Sequence, residues 1–328
     1  MSAPANSQFL SNCTVDALDQ AARALQNGSL IAFPTETVYG LGADATNAQS
    51  VARIYEVKGR PADHPLIVHI PGLDSLESWT SDFPTYAISL ARDFWPGPMT
   101  LVLPRSDIAK DFITGGQDTV GLRIPAHPLA LGLLHAFKKI GGLGIAAPSA
   151  NRFGQVSPTT AEAVDEEIGE YLTPIDIILD GGPALVGVES TIIDCTGDSP
   201  RILRHGAITK EMIEESTGLV TNVDDESDIR VSGALEKHYS PKAKVILNAI
   251  AESGEGFIAL SSIPTPKGAI RLASPSTTDE YARVLYAALR SADAKGIEKI
   301  AVIPPEGDGL ALAIQDRLLR ASRGRSVQ

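Results

Sequence analysis

From Ser29 to about Lys210, short apolar runs alternate with amphipathic stretches. The apolar runs Leu30–Phe33, Leu66–Ile70, Thr100–Leu103, Val120–Ile124, Leu143–Ala147, Ile177–Leu179 and Thr191–Asp194 are brief and bounded by Gly or Pro, the signature of strands in a largely buried sheet. Between them the spacing predicts helices. Asn47 caps one running through Val57, with Val51, Ile54 and Tyr55 on one face. Thr85–Phe94 and Leu129–Ile140 carry similar stripes, and Ser157-Pro158 reads as a further helix start, with serine as cap and proline at the first helical position. Hairpin-like neighbours at Val188–Asp194 and Arg201–Leu203 make the sheet mixed, so the class is α/β.

The pattern breaks between Thr217 and Lys242, where Asp224-Asp225-Glu226 and Asp228 form an acidic, weakly apolar stretch that reads as a linker. A second unit follows. Strands are expected at Val245–Leu247, Phe257–Leu260, Ala269–Leu272 and Ile300–Ile303. Thr277-x-x-Glu280 is a capping box opening a helix that ends near Gly296, and Leu310–Leu319 supplies another. The expected boundaries are a first domain over 13–216, a linker over 217–242, and a small Rossmann-like α/β domain over 243–328.

Composition narrows the function classes. With aromatics at 5% the core is mostly aliphatic, and a net charge of −12 argues against a broad basic surface for nucleic acid while leaving a local basic cleft open. The two cysteines, Cys13 and Cys195, make neither a disulfide framework nor a four-thiolate zinc site. The first residues lack the basic region and apolar core of a signal peptide, and no apolar run approaches the ~20 residues of a membrane span, so a cytoplasmic location is expected. P-loop, dinucleotide-fold, zinc-protease and CxxC signatures are all missing.

Candidate chemistry sits where strands stop. Phe33-Pro-Thr-Glu-Thr-Val-Tyr-Gly-Leu-Gly42 places hydroxyls and glycines after a strand, suited either to close ligand approach or to a plain turn. Lys58 and Arg60 follow a helix, where they either complement its dipole or clamp phosphate. His69 closes an apolar strand and by itself reads first as a core histidine. Arg123 lies among apolar residues and needs an anion, either a protein carboxylate or a substrate's. Ser149, Asn151 and Ser157 offer neutral donors, and the last would open a helix whose free N–H groups suit phosphate. Ser190 and Arg204 add a hydroxyl and a cation at further strand ends.

Taken in order, Pro34-Thr-Glu-Thr-Val-Tyr-Gly-Leu-Gly42, Lys58-x-Arg60-Pro with Pro-Leu-Ile-Val-His69, Phe94-Trp-Pro-Gly-Pro-Met-Thr100, Val120-Gly-Leu-Arg-Ile-Pro125, Pro148-Ser-Ala-Asn151 and Glu189-Ser-Thr-Ile-Ile-Asp194 resemble the YrdC-type threonylcarbamoyl-AMP synthases. Lys237-His-Tyr-Ser-Pro241 and the small domain after it resemble the longer, two-domain branch. The resemblance implies a YrdC-like twisted mixed sheet around a concave, positively lined cavity. It also implies synthesis of threonylcarbamoyl-AMP from ATP, L-threonine and bicarbonate with release of pyrophosphate. A downstream transferase complex would then carry the group to a tRNA adenosine beside the anticodon, so tRNA is met only indirectly and no membrane is involved.

Carried over by position, the resemblance assigns Lys58, Arg60, His64, Thr119, Ser149, Asn151, Ser157, Arg204 and Tyr239 to ATP, with Lys58 and Arg60 central to catalysis. It assigns Thr37, His69, Arg123, Ala147 and Ser190 to threonine. Magnesium is expected through the ATP phosphates, with no protein metal site. His64 stands where asparagine is frequent in the family, and His205 where proline often follows the arginine. The alternative is an RNA-binding module that uses the basic concave face directly.

Overall fold

The structure, a computed structural model, describes residues 7–10, 14–223, 228–233 and 238–324. Cys13, Lys237 and the acidic Asp224-Asp225-Glu226 run lie outside the described residues. Two sheets organise the chain. The first has ten strands: β1 (Gln8–Leu10), β2 (Ile31–Phe33), β3 (Gly40–Asp44), β4 (Ile67–His69), β5 (Met99–Pro104), β6 (Thr119–Arg123), β7 (Ile145–Ala146), β8 (Ile177–Leu179), β9 (Thr191–Asp194) and β10 (Arg201–Arg204). Their order is β1-β8-β2-β3-β7-β4-β6-β5-β9-β10. Pairing is mixed: β4 runs parallel to β6, whereas β5 lies antiparallel to β6 and β3 antiparallel to both β2 and β7. The second sheet is parallel throughout, with β11 (Lys244–Leu247), β12 (Gly256–Ile258), β13 (Ile270–Ala273) and β14 (Lys299–Val302) in the order β11-β14-β12-β13. The architecture is α/β.

Alternation along the strands decides where the site lies. Successive side chains of a strand point to opposite faces. Val68, Leu122, Leu101, Leu103 and Ile193 point to one face and join the main core with the helices Ala48–Lys58, Thr85–Phe94 and Ala161–Ile168. On the other face, Ile67, Val102 and Ile192 pack against Ile229 and Val231 from the segment between the two sheets. That same face carries His69 and Arg123. A chain segment thus roofs this part of the sheet.

Several elements differ from the sequence expectation. The helix expected from Ser157 begins at Ala161, because Thr160 is the cap and accepts a hydrogen bond from the Ala163 N–H. The strand β3 begins within the segment after β2 that suited either close ligand approach or a plain turn, and the helices Val15–Gln26 and Lys210–Thr217 lie where none was expected. In the second unit Thr277 accepts from the Glu280 N–H, but the Glu280 carboxylate takes the Ser276 N–H at 2.7 Å, one residue before the cap. Among the described residues, no helix is long and apolar enough to cross a membrane.

The two units share a core. The helices Thr278–Ala294 and Leu310–Ser322 cover one face of the second sheet, and Tyr281, Leu285, Tyr286, Ile314 and Leu318 cluster there with Val38, Val156 and Val188 of the first unit. Around that apolar contact, Arg290 pairs with Glu167 at 3.0 Å and also donates to the Val156 carbonyl, and Arg283 Nε donates to the Leu185 carbonyl at 3.0 Å.

Candidate active site

The roofed face of the sheet holds a partly open cavity of about 540 Å³, its open mouth included. Thr37, Arg60, His69, Arg123, Ala147, Ser149, Ser190, Arg204 and Tyr239 all line it. Nine side chains separated by up to 202 positions are thus brought to one chamber.

On one side, Arg123 Nη2 donates to Glu36 Oε1 at 2.6 Å and to Thr37 Oγ1 at 2.9 Å. Glu36 is held in turn by the Ala126 N–H at 2.9 Å. The anion that Arg123 requires is therefore a protein carboxylate, a partner that the sequence left unnamed. One donor, Nε, is buried without a hydrogen-bond partner. Thr37 Oγ1 also lies 2.8 Å from Thr35 Oγ1, which donates to the Val38 carbonyl at 2.6 Å. His69 meets the edge of Phe33, with ring centroids 5.8 Å apart, and its Nδ1 has no partner. Burial, then the neighbouring Arg123 charge, lowers its pKa to about 3, so the ring is neutral at physiological pH.

On the other side, Arg60 Nη2 donates to the Pro65 carbonyl at 2.9 Å and to Ser232 Oγ at 3.1 Å, while its Nε has no partner. Burial lowers the Arg60 pKa to about 10, which still leaves the guanidinium charged. Arg204 donates from Nε to the Ser190 carbonyl at 3.0 Å, from Nη2 to Ser190 Oγ at 3.1 Å and from Nη1 to the Ser232 carbonyl at 2.7 Å. Ser190 Oγ also lies 2.8 Å from Thr100 Oγ1. Tyr239 closes the chamber with its hydroxyl unpartnered. Its backbone is left-handed (φ 59°), and a side chain at Gly233 (φ 84°) would put Cβ 2.2 Å from that hydroxyl.

Five further candidates stand outside this lining. Lys58, fully buried, turns its ammonium onto the carbonyls of Ser149 at 2.6 Å and Asn151 at 2.5 Å, so it fixes the Ser149–Asn151 loop instead of facing the cavity. Burial, and then the Arg60 charge, presses its pKa well below the usual lysine range. Asn151 accepts from Ser149 Oγ at 2.5 Å and donates to the Arg152 and Gln155 carbonyls, an orienting role for Ser149. Half-buried His64 meets Phe153 edge-on at 5.3 Å, beside Arg60. Thr119 lines a smaller adjoining pocket under Val231 and Ser232. Ser157 departs most from expectation: it opens no helix, and its hydroxyl donates to Glu189 at 2.6 Å instead of offering a free donor.

Thr35, Glu189, Ser232, Gly233 and His238 also line the cavity, and none was a candidate from sequence. Glu189 could have been found as an acid set in the apolar run Val188–Asp194, where it demands a partner. Among the described residues, no three His, Cys, Asp or Glu side chains gather to hold a metal.

A family model described as telomere recombination, Sua5_yciO_yrdC, matches residues 23–206 of the 328. The chain belongs to this family. A second model, described as the C-terminal domain of threonylcarbamoyl-AMP synthase, matches residues 208–323. Among Sua5-type relatives, the threonylcarbamoyl-AMP synthase of Pyrococcus abyssi is 41% identical, covering 94% of both chains, and that of Bacillus subtilis is 39% identical with the same coverage. The crystal structure of P. abyssi Sua5 complexed with L-threonine superposes with a TM-score of 0.86 at 37% identity, covering 97% of each chain.

Proposed function

We propose that this chain condenses L-threonine, bicarbonate and ATP into threonylcarbamoyl-AMP, releasing pyrophosphate and water. The observation that carries this reading is the single cavity in which Arg123, Thr37 and His69 face Arg60, Arg204 and Ser149 under Tyr239. A cationic half suits a triphosphate, and an arginine with a spare donor beside a threonine hydroxyl suits an amino-acid carboxylate. The P. abyssi relative crystallised with L-threonine supports the amino-acid assignment.

In this reading Arg123 and Thr37 hold the threonine carboxylate. Neutral His69 accepts a proton-bearing group of the substrate at its open nitrogen. The threonine amine captures carbon dioxide or bicarbonate to give a carbamate, whose oxygen attacks the α-phosphorus as the bond to the pyrophosphate oxygen breaks. Arg60 and Arg204 neutralise charge growing on the phosphates, and Tyr239 excludes water. Positioning and charge suffice for such a transfer, so no nucleophilic side chain is required.

Glu189, which lines the cavity, is already paired with Arg317, and Glu36, behind Arg123, is paired with that arginine. Magnesium would therefore arrive on the triphosphate and neutralise its charge there, with few protein ligands. In this reading the first unit carries the chemistry, Ser232, Gly233, His238 and Tyr239 of the intervening segment lie over the site, and the second unit braces it. The product then serves a transferase complex that modifies tRNA, with the nucleic acid acting downstream of this cavity.

Purified protein is expected to release pyrophosphate from ATP only when threonine and bicarbonate are both present. Undiminished release with either omitted overturns the reading. Arg60→Ala is expected to lower that release by about 100-fold or more without moving the melting temperature. Full activity in this variant would remove Arg60 from the mechanism.

A further inference from the structure

Three of the cavity's walls are held from outside it by the second unit. Arg317, on the helix Leu310–Ser322, is 1% exposed although it is an arginine. Its Nε donates to Glu189 Oε2 at 2.9 Å, its Nη2 to the His205 carbonyl at 2.9 Å and its Nη1 to Asp316 at 2.6 Å. Tyr286, on the helix Thr278–Ala294, donates its hydroxyl to the same Glu189 carboxylate at 2.9 Å. No residue of the second unit touches the chamber among those that line it. The partners they choose, however, flank its active groups: Glu189 precedes Ser190, and His205 follows Arg204.

The same two residues grip the roof. The Arg317 guanidinium lies 5.2 Å from the centroid of the Tyr239 ring, and the Tyr286 ring stacks on Tyr239 at 5.8 Å with planes 22° apart. Tyr239 is thus fixed by packing alone, since its hydroxyl has no partner. Such contacts hold a ring's position and tilt while leaving its polar tip free for a ligand.

We propose that Arg317 and Tyr286 are positioning residues for the nucleotide half of the site, setting Arg204 through the neighbouring His205 carbonyl and Tyr239 through ring contact. This rests on the proposed function and assigns the second unit a part in it. The threonine half, built on Glu36, Thr37 and Arg123, meets the second unit only through the packing of Val38 and the Leu185–Gly187 backbone, and among the described residues no side chain of the second unit hydrogen-bonds to Glu36, Thr37 or Arg123. Disturbing Arg317 should therefore weaken ATP use more than threonine binding.

The test is pyrophosphate-release kinetics on the full chain, with threonine binding measured separately by calorimetry without ATP. Arg317→Met, which keeps length and removes charge, is expected to raise the KM for ATP at least tenfold, with kcat changing less than threefold and the threonine Kd less than twofold. Arg317→Lys should recover part of the loss by restoring charge to Glu189. Once Tyr239 is replaced by Leu, adding Arg317→Met should cost less than it does alone. Equal losses in ATP and threonine, or an ATP KM within twofold of the unsubstituted chain, overturn the proposal. Should Arg317→Met fail to fold, Tyr286→Phe removes one hydroxyl and keeps the ring; a threefold rise in ATP KM then supports the proposal and no change sinks it. If the unsubstituted chain shows no threonine-dependent release, the proposed function itself fails, a result distinct from any of these.

Discussion

His69 and His238 both line the cavity, and both are held neutral by it. The pKa of each is lowered to about 3, by burial first; for His69 the Arg123 charge adds to this, while for His238 the Arg60 and Lys58 charges work against the opposing pull of Glu189. In the unfolded chain histidine titrates near ~6.5. Between those two values the unfolded chain holds a proton that the folded chain refuses, so stability rises with pH across this window and is lost as pH falls through it. Each ring should cost about 2 kcal/mol between pH 7 and pH 5. Urea unfolding at the two pH values checks this: His69→Gln and His238→Gln should each shrink the loss by about that amount. An unaltered loss in both would mean that the rings are not held in the neutral state by burial. Glu189 behaves in the opposite sense. Burial would raise its pKa, but Arg317, Arg204 and the Ser157 hydrogen bond outweigh burial and hold it at about 2, so its contribution survives this acidification.

The helix Ala48–Lys58 delivers the first cation pair, and its ending matters more than its beginning. Gly59 caps it in the left-handed region (φ 59°), between Lys58 and Arg60, and a Cβ there would lie 2.8 Å from Arg152 Nη2. Arg152 itself caps the helix by donating to the Val57 carbonyl at 2.6 Å. Gly59→Ala is expected to cost about 1–2 kcal/mol for the backbone conformation, and to raise the KM for ATP because Arg60 leaves from this turn. Unfolding and kinetics on the one variant read both effects, and an ATP KM unchanged beside the loss of stability would uncouple the turn from the site. The helix was legible in the sequence: Asn47 as cap and the Val51, Ile54 and Tyr55 stripe hold, and it ends at Lys58, one residue past the expected Val57, with the Gly59 stop seen only in the fold. The strand β3 was not, because Gly40 and Gly42 lack strand propensity. They are there for packing: a Cβ on Gly42 would meet Ile145 at 2.7 Å and Phe33 at 2.8 Å. Ser157 misled for a related reason. Its local pattern fits a helix cap, but a buried Glu189 thirty-two positions away claims its hydroxyl, and no local signal encodes that. Arg123 needed an anion on sequence grounds alone, yet only the fold shows that Glu36 supplies it.

At the scale of the molecule, a chain of net charge −12 still gathers three buried arginines, Arg60, Arg123 and Arg204, around one chamber. The second unit holds residues of that chamber from outside, so the units should not unfold separately. Their contact is a core in its own right: Val38, Val156 and Val188 from the first unit pack with Leu285, Tyr286 and Ile314 from the second, and buried ion pairs surround them. Breaking the contact would expose apolar surface and strand Arg317 and Glu189 as unpaired buried charges, which is costly. Both tryptophans, Trp79 and Trp95, belong to the first unit, so their fluorescence reports on it alone. Leu285, fully buried on the helix Thr278–Ala294, belongs to the second. Leu285→Ala should remove about 2–5 kcal/mol, and the tryptophan-detected transition should shift to lower denaturant by that amount, together with the far-ultraviolet circular dichroism. If the tryptophan transition stays in place while part of the circular dichroism melts earlier, the two units are independent, and the second could not brace the roof of a site it does not touch.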